Sequence, residues 1–508
     1  MAHFEFPSML TDRRVLILGL GETGMAAARW CARQGARLRL ADTRVSVSGL
    51  PELQAALAGA DVEYCLGETD LASHLLEGVG QVVISPGLSP IEVPVSQLLA
   101  QARAAGIEVV GEIELFARAL ADMAAQGYTP GVLAVTGTNG KTTVTSMVHH
   151  LLTDCGLTAV AAGNISPAAL TALSCALDAE SLPDVWVLEL SSFQLESTSS
   201  LVPDAAAVLN LTQDHLDWHG SFEAYGKAKA RLFDRAKVAV VNRDDPDVAA
   251  MVPSLDALTV RTFGRGAPER AGDFGIATEH DVNWLSVSEP ADFEQPVSGQ
   301  RRKAHEPVVR QPGRLTRLMP VEALRVRGMH NALNALAALA LVRVLECEWA
   351  QLLHSLRDYA GQPNRTEFVR TIAGVDFIND SKGTNVGATL AALEGLGQTV
   401  VLIAGGLGKG QDFSAMASVV RTYAAGVVLI GQDAATIAKA LEPAGVPLAF
   451  ADSLDDAVRQ AMKMAQPGQA VLLSPACASM DMFRNYNHRA QVFIDAVHEL
   501  AHDFGEVV

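Results

Sequence analysis

The chain reads as an α/β protein built from three units, each an open sheet wrapped by helices. Three observations predict this. Short apolar runs alternate with helical stretches along almost the whole length. Two of those runs end in glycine turns that open directly into helices, Gly19-Leu-Gly-Glu-Thr-Gly24 and Thr136-Gly-Thr-Asn-Gly-Lys-Thr-Thr143. A chain of 508 residues that is 49% hydrophobic and 19% charged can bury more than one sizeable core.

The first unit opens with a strand at Val15–Leu18, the glycine turn and an alanine-rich helix over Met25–Arg33. A second strand, Arg37–Ala41, ends at Asp42. This is the G-x-G-x-x-G arrangement of a Rossmann-like βαβ unit, which makes an NAD-dependent oxidoreductase one reading. The glycines themselves establish only a tight turn that admits a phosphate. Further strands are expected where Gln81 runs into Ser85-Pro-Gly87 and at Ile107–Val110. A linker is read at Gly127–Gly131, so the first domain is placed at 1–124.

The second unit, 125–327, begins with the apolar strand Val132–Val135 and the second glycine turn, followed by a helix through Leu152. Strand, glycine turn, Lys-Thr and helix form a P-loop ATPase-like start. Backbone N–H groups and the helix N-terminus attract phosphate oxygens, Lys141 meets the outer phosphates, and the Thr142 hydroxyl can hold Mg²⁺. The usual pattern has a glycine where Val135 stands. Later strands are expected at Ala159–Ala162, Asp184–Leu190, Ala205–Leu209 and Val238–Asn242. Glu189 lies near the end of the second of these, in a run so apolar that its carboxylate needs a partner, and a metal is the economical one. Asp214, His215, Asp217 and His219 could suggest zinc; the more modest reading is that one or two meet Mg²⁺ or substrate. From Gly264 to Gly313 the pattern degrades, and an inserted loop is placed near 289–313, with the basic run Arg301, Arg302 and Lys303 read as solvated.

The third unit, 328–508, opens with a helix from His330. Strands are expected at Val375–Asn379, Val400–Ile403, Gly426–Ile430 and Ala470–Leu473, forming a second, Rossmann-like parallel sheet. Their ends carry Lys382, Lys409 and the turn Ser474–Ser479, which look like an anion site.

Composition narrows the partners. A formal net charge of −18 argues against nucleic acid as the main ligand, because like charges repel over the whole surface. The six cysteines show no C-x-x-C pair and read as reduced thiols. No signal peptide or membrane-length apolar run is evident, so no membrane insertion and a cytoplasmic setting are expected. A monomer is also expected.

Taken together, Thr136–Thr143, His330-Asn-Ala-Leu-Asn334 and Asn379-Asp-Ser-Lys-Gly-Thr-Asn385 resemble the Mur ligases of peptidoglycan synthesis. Gly163-Asn-Ile165, Leu188–Leu195 and Leu473–Asp481 are most similar to the branch that joins D-glutamate to UDP-N-acetylmuramoyl-L-alanine using ATP. The resemblance spans nearly the whole chain. It implies that the first glycine turn holds the uridine diphosphate of the substrate, through Glu22, Thr23, Asp42, Thr43, Arg44, Ser85 and Gly87, with Asn164 reaching the substrate near a metal. It implies ATP on Gly137, Thr138, Asn139, Gly140, Lys141, Thr142, Thr143, Asn334, Arg365 and Asp380. Two Mg²⁺ sites are implied, with Thr142, Glu189, His215 and a carbamylated Lys229 as ligands; neighbouring Lys227 leaves that register open. D-Glutamate is implied on Thr384, Lys409, Ser479 and Tyr486, and the reacting groups are expected to be served by Lys141, His215, Lys229, Arg365 and Lys382. Tyr486 stands where phenylalanine is common, and Leu407 where some members have aspartate. A folylpolyglutamate synthetase-like ligase is the nearest alternative, but such an enzyme begins with its ATP domain. Because ATP and D-glutamate fall on different domains, a hinge is expected near Val326–Met329.

Overall fold

The computed structural model describes residues 4–6, 10–290 and 309–506. Three large sheets follow one another along the chain. The first contains β1 (Arg14–Leu18), β2 (Arg37–Asp42), β3 (Val62–Leu66), β4 (Val79–Ile84) and β5 (Glu108–Val110), all parallel, in the order β3-β2-β1-β4-β5. The second contains β6 (Gly131–Thr136), β7 (Ala159–Gly163), β8 (Val185–Glu189), β9 (Ala205–Val208), β10 (Val238–Asn242) and β11 (Val260–Phe263), also all parallel, in the order β11-β10-β9-β6-β8-β7. In both, the strand order reverses beside a glycine turn. Such reversal points open a crevice at the strand C-termini, where ligands bind.

A small antiparallel sheet follows, made of β12 (Phe274–Glu279), β13 (Val282–Glu289) and β14 (Arg314–Pro320). Sequence patterning shows only degradation here, because β13 buries polar Ser286 and Ser288 beside Leu285 and Val287, and β14 is largely exposed. Most of the expected loop, with Arg301, Arg302 and Lys303, lies outside the described residues.

The last sheet comprises β15 (Glu367–Ile372), β16 (Val375–Asn379), β17 (Val400–Gly405), β18 (Ala424–Ile430), β19 (Leu448–Phe450) and β20 (Ala470–Leu473), in the order β15-β16-β20-β17-β18-β19. It is not wholly parallel: β15 runs antiparallel to β16, joined to it by a tight turn at Ala373-Gly374.

The helix Met329–Val342 is apolar on nearly every side because it is buried on nearly every side. It packs against the helix Lys141–Asp154, and with the helix Trp349–Asp358 it completes the core of the second sheet. Separate apolar clusters cover the two faces of the last sheet, beginning at Ile372. The junction between these bodies is therefore the stretch after Tyr359, not Val326–Met329. In that stretch Gly361, Asn364 and Thr366 all have positive φ.

No helix among the described residues is long and apolar enough to cross a membrane. All six cysteines are free thiols; Cys31, Cys347 and Cys477 are buried, whereas Cys175 is exposed.

Candidate active site

The phosphate loop leaves β6 at Thr136 and closes at Gly140, which caps the helix Lys141–Asp154 in the left-handed region at φ +84°. A side chain there would stand 2.7 Å from Asn334 Oδ1, so glycine meets both the turn and the close approach. Asn139 N–H donates to Asn210 Oδ1 at 2.8 Å, which pins the loop from the neighbouring strand end. Lys141 folds back over the loop and donates to the carbonyls of Gly137 and Thr138 at 2.8 and 2.7 Å. Burial lowers its pKa, and the carboxylates of Glu189 and Asp214 oppose that shift.

Glu189 ends β8 with 2% of its surface exposed. Its Oε1 accepts from Asn164 Nδ2 at 2.8 Å, while its Oε2 is buried with no hydrogen-bond partner. An unpaired buried carboxylate oxygen facing a polar cavity is the kind of group a cation completes. Lys229 lies beneath the same loop, 2% exposed, and donates to Gly137 O at 2.8 Å and Thr136 Oγ1 at 3.3 Å. Burial, reinforced by the charge on Lys141, pushes its ammonium well below the usual lysine range. Lys227, by contrast, is exposed and pairs with Glu223, so Lys229 is the buried lysine of the two.

His215 takes up a left-handed backbone at φ 53° and turns its ring against Phe193, with Nε2 3.6 Å from Asp214 Oδ2. Burial lowers its pKa. His219 points away to Ser192 Oγ at 2.9 Å, and burial brings its pKa down to about 4. Among the described residues, no three His, Cys, Asp or Glu side chains converge as a metal set. The zinc reading of this segment accordingly has no geometry behind it.

The last sheet faces this loop across a shared cavity of about 710 Å³. Thr138–Thr142, Asn164, Glu189, Asp214 and His215 line one side, and Arg365, Lys382, Thr384, Lys409 and Tyr486 line the other. Lys382 Nζ sits 3.7 Å from the centre of the Tyr486 ring, so the aromatic face holds the cation; the expected residue type, phenylalanine, would offer the same face. Burial and the charge on Arg365 lower Lys382 to about 8. Asp380 is buried and raised to about 6 by desolvation, although Ser474 Oγ and Thr366 N–H donate to it at 2.7 and 3.1 Å. It lines a smaller adjoining slot of about 150 Å³ with Thr143, Asn334 and Arg365. Leu407 exchanges backbone hydrogen bonds with Ala478.

Two residues fall elsewhere than expected. Ser479 is buried, and its neighbour Ala478 lines the cavity instead. Glu22 is absent from the lining of the first-sheet cavity and accepts from Ser166 Oγ at 2.8 Å. That first cavity, about 350 Å³, is lined by Thr23, Asp42, Thr43, Arg44, Ser85 and Gly87. Asp42 braces it, since its carboxylate accepts from Leu20 N–H at 2.7 Å and from Arg44. Ser85 Oγ donates to Gly19 O at 2.6 Å from the opposite strand. Ser166 also lines the large cavity, so the Ser166–Glu22 contact ties the helix that follows the first glycine turn to the rim of that cavity.

Several participants escape sequence reasoning. Asn385 exchanges two amide hydrogen bonds with Asn139, at 3.2 and 3.1 Å, across the two sheets. Tyr225 OH lies 2.9 Å from Thr138 Oγ1. Arg489 is wholly buried and donates to the oxygens of Ser381 and Cys477, which fixes the turn that carries Lys382. The one available signal was Asn385 at the end of a polar run before a helix, the position of an N-cap.

Known proteins share this organisation. A family model described as "Mur ligase MurD-like, N-terminal domain" matches residues 13–111, "Mur ligase middle domain" matches 135–342, and "Mur ligase, glutamate ligase domain" matches 364–477. A UDP-N-acetylmuramoylalanine--D-glutamate ligase of Bordetella avium is 62% identical over 97% of both chains. The protein of that name from Burkholderia thailandensis is 52% identical over 98% of this chain and 99% of its own. Among solved structures, MurF from Acinetobacter baumannii superposes with a TM-score of 0.56 at 16% identity, covering 98% of this chain and 93% of that one, a likeness of fold. With three family models in succession along one chain, and the phosphate loop and the last sheet meeting in one cavity, the protein belongs to the Mur ligase family.

Proposed function

We propose that this chain is an ATP-dependent ligase that adds D-glutamate to UDP-N-acetylmuramoyl-L-alanine in peptidoglycan precursor synthesis. The observation that carries the reading is the shared cavity, where a phosphate loop meets a second bank of cations on a separate sheet. The names of relatives at 62% identity supply the substrates. The dehydrogenase reading of the first glycine turn loses its ground, because that turn lies within the matched Mur ligase model.

The first cavity takes the uridine diphosphate end, and the acyl end extends to the large cavity, where Asn164 and Ser166 stand on its rim. ATP lies along the loop, with its base towards the slot at Asn334. The substrate carboxylate attacks the γ-phosphorus, ADP leaves, and an acyl phosphate forms. The neutral D-glutamate amine then attacks the acyl carbonyl, an amide forms as the nitrogen gives up one proton, and phosphate departs with the electron pair of the broken C–O bond and can carry that proton away. Two anions must meet for the first step, so catalysis rests on positioned positive charge. Lys141, Arg365 and Lys382 provide it from both sides. Thr384, Lys409 and Tyr486 border the D-glutamate side.

Glu189 and Thr142 fit a Mg²⁺ ion, as the unpaired Glu189 Oε2 indicates, and His215, on the same cavity wall, is the residue that would serve a second one. Bound there, Mg²⁺ would neutralise phosphate charge. Lys229 nearby is a buried amine whose pKa is lowered by burial and by the charge on Lys141. A neutral amine is the form that reacts with CO₂, and the resulting carbamate would replace a repelled ammonium with an anionic oxygen ligand. The joint for domain closure is the stretch Gly361–Thr366.

The decisive assay is phosphate release from ATP, expected only with both UDP-N-acetylmuramoyl-L-alanine and D-glutamate present. Release without either substrate, or equal release with L-glutamate, would refute the assignment.

A further inference from the structure

A cavity of about 490 Å³ lies between the small antiparallel sheet and the C-terminal end of the helix Met329–Val342, and shares no lining residue with the ligase cavity or its slot. In a chain of net charge −18, the described residues of its walls, which run to Pro290 and Val309, carry three guanidinium groups, on Arg261, Arg310 and Arg343, against one carboxylate, on Glu289.

That carboxylate does not neutralise them. Glu289 Oε1 accepts from Trp349 Nε1 at 2.9 Å and Oε2 from Thr316 Oγ1 at 3.2 Å, both neutral donors. Arg310 is 4% exposed and pairs with Asp273 at 2.5 Å, yet its Nε–H is buried with no partner. Arg261 donates one amino group to the carbonyls of Leu258 and Val260, at 2.9 and 2.8 Å, and has no acidic partner among the described residues. Arg343 donates to Cys347 O and otherwise lies over the Trp349 ring, 4.6 Å from its centre. Burial, with the nearby charge of Arg310, lowers the pKa of Arg261, and the Asp273 carboxylate, which is paired with Arg310, opposes that shift only in part.

The apolar part of the wall is aromatic. Trp349 and Phe274 stand with ring centres 6.2 Å apart, and the hydrogen bond to Glu289 fixes the indole. Guanidinium forks suit an oxyanion with several acceptor atoms, and aromatic walls suit a flat apolar body. We propose that this cavity is a second ligand site, distinct from the ligase centre, that takes a small aryl phosphate or a closely similar planar oxyanion.

The test uses the full chain and para-fluorophenyl phosphate, with binding read from broadening of its fluorine NMR line. The neutral para-fluorobenzyl alcohol is the comparator. Wild type should broaden the phosphate line and leave the alcohol line sharp. Arg261→Gln and Arg343→Gln should each weaken binding by roughly tenfold or more, the loss of one charge-assisted hydrogen bond. Lys141→Ala should leave it unchanged. Thermal unfolding of each variant verifies the fold, and because Arg343 also supports Trp349, Arg261→Gln carries the test if Arg343→Gln does not fold. No broadening by wild type, equal broadening of the alcohol, unchanged affinity in the folded arginine variants, or loss of the signal in Lys141→Ala would each overturn the proposal.

Discussion

The amide pair between Asn139 and Asn385 is the contact through which closure of the two sheets is best tested. Asn385 makes three kinds of contact, one of them a long donation from Nδ2 to Asp214 Oδ2 at 3.4 Å. Its Oδ1 caps the helix Val386–Gly395 by accepting from Ala388 N–H at 2.9 Å, and its amide exchanges two hydrogen bonds with Asn139. Asn385→Ser keeps a capping oxygen but is too short to reach Asn139; Asn385→Ala loses both. Each neutral hydrogen bond contributes about 1 kcal/mol net, so the bridge is worth about 2 kcal/mol. The bridge exists only with the sheets together, so its loss falls on the closed state. Asn385→Ser should therefore lower kcat/KM for D-glutamate by roughly tenfold to thirtyfold while leaving thermal stability near wild type. Asn385→Ala should show the same kinetic loss and a further destabilisation of about 1 kcal/mol from the missing cap. Steady-state phosphate release and thermal unfolding measure the two effects separately. A Ser variant within about twofold of wild type, or two variants that differ in neither stability nor rate, would refute the reasoning.

Lys141→Ala should reduce phosphate release by roughly 10²–10³-fold or more while the protein stays folded; a loss of less than about threefold would defeat the ATP-site assignment. Glu112 gives a pH signature: burial, with the nearby Glu22 charge, raises its carboxyl to about 7, although Leu170 N–H donates to it at 2.5 Å. Because this folded value lies above the ordinary 4.5, its favourable contribution is complete below about pH 4.5, erodes as pH rises and is gone above about 7. Wild type should lose about 3 kcal/mol across that window relative to Glu112→Gln in denaturant titrations, and parallel curves for the two would exclude the shift. Solution scattering should show compaction on addition of nucleotide and UDP-substrate, and Gly361→Pro should diminish it; an unchanged radius of gyration in wild type would argue against a moving joint at Gly361–Thr366.

The parallel strands were legible because burial on both faces leaves continuous apolar runs, as at Leu133–Val135 and Val185–Leu188. The strands that escaped are edge or one-sided strands. Val62–Leu66, Glu367–Ile372 and Arg314–Pro320 place charged residues among apolar ones, and much of each strand is left partly or fully exposed, so no continuous apolar run marks them. The same division runs through the site. Backbone turns such as Thr136–Thr143 declare themselves locally, since glycine and a following Lys-Thr are needed at fixed offsets. The Asn139–Asn385 pair joins residues 246 apart, and no local spacing encodes it. Ser479 shows a finer limit: motif spacing identifies the turn but not which of two adjacent residues borders the cavity, and here Ala478 does while Ser479 is buried. The helix Met329–Val342 was legible as helix and as buried, but the identity of its packing partner required the fold. That partner is what relocates the joint between bodies.

The site's electrostatics explain why the two halves must remain separable. Lys141, Lys229, Arg365 and Lys382 crowd around two carboxylates, Glu189 and Asp214, and burial holds the three lysines below their ordinary range. Without anions, closure brings Arg365 and Lys382 towards Lys141, and each lowers its pKa by repulsion. Closure without ligand is therefore opposed, and only contacts such as the asparagine bridge favour it. Phosphates reverse the sign, because every cation then faces an anion in a cavity with little water to screen it. A ligand that relieves repulsion in the closed form, and not in the open one, shifts the balance by that difference alone. On the proposed reaction, closure would thereby depend on the anionic substrates and would keep water from the acyl phosphate at the stage when hydrolysis would waste it.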